Sequence, residues 1–114
     1  MKLQIEGQNL RVRIGEEELS RLLAGHAVEA RTSFAQAFVL GCTLQLGPGD
    51  AAEVSGTPGA WHIRIPQAAV VAHAARLPTR EGLRFELAGG ADGDALVLLF
   101  DVDVRDSVRQ RRTH

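Results

Sequence analysis

The chain has 114 residues, 45% of them hydrophobic and 24% charged, with 13 basic and 14 acidic side chains for a formal net charge of -1. That length suits one domain, and that composition suits a packed core rather than disorder. The charge balance argues against a nucleic-acid partner, which calls for a clear basic excess. Cys42 is the only cysteine, so no intrachain disulfide forms. The first residues carry no apolar segment of the signal-peptide kind, and no apolar run approaches the roughly 20 residues that span a bilayer. The expectation is a reducing cytoplasm and no membrane. Lys2 is the only lysine among the basic residues. With the many Ala and Gly, this points to a GC-rich bacterial genome.

In chain order, Leu3 and Ile5 alternate with Lys2, Gln4 and Glu6, a half-buried strand. Gly7-Gln8-Asn9 offers a turn, and Leu10, Val12 and Ile14 alternate with Arg11 and Arg13 to complete a hairpin. Glu16, Glu17 and Glu18 open a helix where the positive end of its dipole favours acids. Leu19, Leu22 and Leu23 form its apolar stripe, and Gly25 stops it. Strands follow at about 28–34 and 38–46, then the turn Gly47-Pro48-Gly49-Asp50.

The same order then recurs. A short strand at 53–55, the turn Gly56-Thr57-Pro58-Gly59 and a strand carrying Trp61, Ile63 and Ile65 lead to Pro66, which suits a helix start. Val70, His73, Ala74 and Leu77 keep helical spacing. Strands at 83–87 and about 95–104 end the pattern. Arg13 matches Arg64, Ile14 matches Ile65, Leu19 matches Val70 and Phe34 matches Phe85, each 51 positions apart. The chain therefore reads as α+β: one domain over 1–114, with duplicated ββαββ halves at 1–46 and 52–104 and a polar tail at 105–114. About eight antiparallel strands would form a strongly curved sheet or barrel, since closure removes exposed edges.

Strand parity splits the side chains into two sets. The apolar set, which includes Ile5, Ile14, Phe34, Cys42, Ile65, Phe85 and Phe100, should be core beneath the two helices. The polar set includes Gln4, Glu6, Arg11, Arg13, Glu29, Arg31, Gln45, His62, Arg64, Arg84, Glu86, Asp101 and Asp103. Cross-strand ion pairs on a solvated face account for most of it. A sharper reading makes Arg11, Arg13, His62 and Arg64 a converging site for phosphate or carboxylate, with Glu6, Asp101 and Asp103 holding a hard cation in a catalytic alternative. Val97 and Leu99 share the parity of Asp101, so a loop or second chain should cover that end of the last strand. Cys42 and His73 read as packing residues, His26 as a helix-end cation, Asp92-Gly93-Asp94 as a turn and Arg105–His114 as a frayed tail. No HExxH, Walker, GxSxG or paired CxxC motif occurs.

The stretch IEGQNLRVRIGEEELSRLLAGHAVEARTSF, residues 5–34, resembles the opening of a family of small uncharacterised bacterial proteins, a domain of unknown function. The carriers are Ile5, Gly7, Leu10, Arg11, Val12, Arg13, Ile14, Glu18, Leu19, Gly25, Val28, Glu29, Thr32 and Phe34. WHIRIPQ and LVLLFDVDV look like that family's middle and last strands, although Asp106 stands near its usual cysteine. The resemblance implies no activity, substrate or cofactor. At fold level, eight strands in duplicated halves are similar to the triphosphate tunnel (CYTH-like) enzymes. Those enzymes carry E-x-E-x-K in their first strand, where the stretch Leu3-Gln4-Ile5-Glu6-Gly7 here has one glutamate and no lysine. The leading function is a small non-catalytic binding or interaction domain that takes an anionic ligand on the polar sheet face. A metal-dependent phosphoanhydride hydrolase and a structural dimerisation module are the alternatives, and a protein partner or a homodimer stays open.

Overall fold

The computed structural model describes residues 1–91 and 93–104. Asp92 and residues 105–114, with Asp106 and the arginines of the tail, lie outside the described residues. The order is β1 (Lys2–Glu6), β2 (Asn9–Gly15), α1 (Glu16–Leu23), β3 (Val28–Phe34), β4 (Phe38–Gly47), β5 (Glu53–Thr57), β6 (Ala60–Pro66), α2 (Gln67–Ala75), β7 (Leu83–Leu87) and β8 (Leu96–Asp103). The α+β class and all ten expected elements are present. The barrel is not. Two separate four-stranded sheets form, in the orders β1-β2-β8-β7 and β3-β4-β6-β5.

The sheets are mixed, because each takes one local hairpin from each half of the chain. The hairpins β1–β2, β3–β4, β5–β6 and β7–β8 are antiparallel, whereas β2–β8 and β4–β6 are parallel. The registers of the halves repeat. Lys2 faces Arg13, and 51 positions on Glu53 faces Arg64. Val28 faces Leu44, and 55 and 56 positions on Leu83 faces Phe100. The ungapped pairing of Phe34 with Phe85 is therefore corrected. It holds through the first hairpin of each half and slips after the helix, so Ala30 is the ladder counterpart of Phe85.

The helices explain themselves locally. Glu18, at the third position of α1, accepts the backbone N–H of Gly15 at 3.1 Å and the ammonium of Met1 at 2.8 and 2.9 Å. Gly25 ends the helix at φ +93°, with its N–H on the Leu22 carbonyl and that of His26 on the Arg21 carbonyl. That paired closure is the Schellman arrangement, for which glycine is the cheapest residue. Pro66 caps α2, whose inward face carries Val70 and His73.

Alternation decides the packing. Leu10, Val12, Ile14, Leu98, Phe100 and Val102 from the first sheet join Val28, Cys42, Leu44, Ile63 and Ile65 from the second, with Leu19, Leu22 and Val70 from the helices, in one buried cluster. The sheets thus face each other across the core, instead of each lying beneath a helix. Both helices follow the finishing ends of their strands, after Gly15 and Pro66, where β2 runs beside β8 and β4 beside β6. They close that end of the sandwich. At the other end, among the described residues, turns and the β7–β8 connection meet.

Candidate functional site

Arg11 and Arg13 stand on β2 in the first sheet, and His62 and Arg64 stand on β6 in the second. Each alternates with core residues, so the parity reading holds, but the two pairs sit on outward faces with the whole core between them. No single anion meets all four. Asp101 explains the first pair: its carboxylate lies 3.2 Å from Arg11 Nε and 3.8 Å from Arg13 Nη2. Glu53 lies 3.7 Å from Arg64 Nη1, directly across the ladder. These are cross-strand ion pairs at the solvated faces, with Asp101 half-buried and the arginines more open, each contributing about 0.2–1 kcal/mol.

The proposed cation trio also separates. Glu6 lies opposite Asn9 at one end of β2, whereas Asp101 and Asp103 lie opposite Arg13 and Gly15 at the other. Among the described residues no group of three or more His, Cys, Asp or Glu gathers closely enough to hold a metal. Val97 and Leu99, which share the outward parity of Asp101, are half-buried. A shallow polar pocket of about 220 Å³ brings Arg11, Gln4, Glu6 and Asn9 around Leu99.

Two core groups titrate abnormally. Burial pushes the Cys42 thiol up, away from the reactive thiolate form. Burial also lowers His73 below its ordinary 6.5; Arg76 adds to this and Asp101 opposes it. The His73 ring stands edge-on to Phe100, with centroids 6.4 Å apart at 69°. Since the folded-state pKa is depressed, the unfolded chain takes up the proton first. Stability present above pH 6.5 should therefore decline as pH falls through the unfolded value towards the folded one. Urea titrations across this range should show that decline in the parent and a flatter profile in His73→Gln. Equal slopes would show that His73 is not held neutral. Glu18 acts in a lower window. Burial raises its pKa, but the Met1 ammonium and the Gly15 N–H outweigh burial, so its contribution fades below 4.5.

The feature that parity missed is the open end. Of the exposed large hydrophobic residues described, Leu23 and Val71 lie on helices. Of the other five, Ile5, Phe34, Phe38 and Val39 lie next to turns, and Val54 lies further along β5, opposite Ile63. Phe34 was expected in the core and is 43% exposed; Ile5, with the same inward parity, is 63% exposed. Both sit on edge strands beside a turn. Between the hairpins β1–β2 and β5–β6 lies a cleft of about 400 Å³, lined chiefly by Ile5, Leu10, Val54, Pro58, Trp61 and Leu96. The Trp61 indole N–H donates to the Pro58 carbonyl at 2.7 Å, which pins the ring at the cleft. Among the described residues, none that lines the cleft is charged. Comparison with family models, with curated proteins and with solved structures finds no match. Among the described residues no helix is long and apolar enough to cross a membrane.

The cleft was hidden in the sequence because its walls come from hairpins far apart in the chain. One signal was available. Residues 32–49 carry no charged side chain, although a quarter of the chain is charged.

Proposed function

We propose that this domain is a non-catalytic interaction module that takes an apolar partner surface at the open end of its sandwich. The carrying observation is the uncharged 400 Å³ cleft beside Trp61, rimmed by exposed Ile5 and Val54. Its volume falls within the usual range of ligand pockets, about 300–1,000 Å³. Exposed apolar residues gathered at one place mark contact surfaces, whereas scattered ones do not. The repeated registers support an origin by internal duplication, which places the equivalent hairpins β1–β2 and β5–β6 on either side of the cleft. The separation of Arg11 and Arg13 from His62 and Arg64 removes the geometric motive for a central anion.

The sole tryptophan gives a direct test. A neutral solvatochromic dye such as Nile red, titrated into dilute protein, should brighten and quench Trp61. Val54→Asp, which sets a carboxylate on the rim, should abolish both signals while the circular dichroism spectrum stays unchanged. Dye binding that leaves Trp61 emission untouched, or that survives Val54→Asp, would place the apolar contact elsewhere and overturn this reading.

A further inference from the structure

We infer that the occupant of the cleft is a second copy of this chain, which seats the tip of its β3–β4 hairpin there. The inference rests on the interaction reading above and names its partner.

The tip is built as an arm. β4 pairs with β6 only from Gly41 onward, whereas its pairing with β3 continues through Thr32–Leu40, Ser33–Val39 and Phe34–Phe38. Since β3 is an edge strand, these three pairs have no further strand laddered beside them, although Leu40 is half-buried and the Val39 carbonyl passes near Gly59. At about 3.3 Å per residue they carry the ribbon roughly 10 Å past the last β4–β6 pair. Phe34 and Phe38 stack at its end, with centroids 4.8 Å apart and 24° between planes, and Phe38 is 59% exposed. A two-stranded ribbon is marginal in water without further packing.

Arm and cleft match in chemistry. From Thr32 to Leu40 the arm has no charged side chain, and neither does the lining of the cleft. Their juxtaposition would leave no charge unpaired. Both project from the same end of the molecule, so a twofold axis through that end gives each copy the same two roles at once, arm and receptor. The area also suits a dimer. A phenylalanine buries about 150–250 Å², so four half-exposed rings with the surface that receives them contribute roughly 800 Å². Val39, Ile5 and Val54 bring the total near the lower limit of a specific interface, about 1,000 Å². The dimer is therefore weak and concentration-dependent.

Sedimentation velocity from sub-micromolar to several hundred micromolar protein should show the parent passing from monomer to dimer. Phe38→Ser, at an exposed site that leaves the fold intact, should stay monomeric, and so should Val54→Asp. An equimolar mixture of the two should regain a dimer, weaker than the parent's, because one intact arm meets one intact cleft. A parent that stays monomeric throughout overturns the inference, and so does a dimer that survives both substitutions. The dye experiment separates this failure from the other. Phe38→Ser should still bind Nile red beside Trp61, so loss of the dimer with retained dye binding rejects only the second copy as occupant.

Discussion

Phe100→Ala should be the most damaging single truncation in the chain, at about 3–5 kcal/mol. Phe100 is 0% exposed, faces Val12 on one side and Leu83 on the other, and meets the His73 ring edge-on. Its ladder counterpart Leu44 is also fully buried, so the two occupy equivalent central places in the two sheets. Removing the ring forfeits its transfer free energy and leaves a void between sheets that their hydrogen-bonded ladders keep from collapsing. Against the 5–15 kcal/mol typical of a domain, roughly a fifth or more of the stability is lost. Urea unfolding followed by Trp61 fluorescence measures it. Phe85→Ala, at a half-buried site, should cost less, and Phe34→Ala, at the exposed arm, should stay within about 0.5 kcal/mol. A loss below about 1 kcal/mol for Phe100 would mean that the sheets do not pack as described.

The contrast between these phenylalanines shows what the sequence carries. Period-two alternation places Val12, Ile14, Ile63, Ile65, Leu98 and Phe100 on the inward face, because side-chain direction is a local property of a strand. It assigns Phe34 and Ile5 to the same face with equal force. Whether anything covers that face depends on where the opposite sheet ends, and no local pattern holds this information. The hairpin β1–β2 and the turn joining β5 to β6 were legible for the same reason, since a glycine turn between alternating runs is local; the β3–β4 turn, Ala35-Gln36-Ala37, holds no glycine to announce it. The parallel pairs β2–β8 and β4–β6 join residues 19 to 88 positions apart. Nothing within a strand names such a partner. Hence the polar pairs of β2 and β6 were placed on one concave face, while the structure sets them back to back. The cleft follows from those same distant pairings, so it could not be read before them.

Gly56→Ala should be the most damaging glycine substitution tested at the cleft, at roughly 2–5 kcal/mol. Two separate penalties meet there. Gly56 holds φ +103°, where a side chain is strained. A Cβ built on it would lie 2.1 Å from the Ala60 carbonyl oxygen and 3.2 Å from His62 Cδ2. The carbonyl is backbone and cannot swing aside as a side chain could, so β5 must move away from β6. Gly49 separates the two effects. It shares the positive φ, at +85°, but a Cβ there meets nothing within 4 Å. Gly49→Ala should therefore cost only the conformational part, about 1–2 kcal/mol. The excess at Gly56 measures how tightly the ladder is held. β5 also forms one wall of the cleft, and Gly56 lies opposite Trp61 in the register. Displacing it should weaken Nile red binding in the protein that remains folded, whereas Gly49→Ala should leave binding unchanged. Equal losses of stability at the two glycines would show that the β5 edge yields freely. The cleft wall would then be soft, and a preformed apolar receptor would give way to one shaped by what enters it.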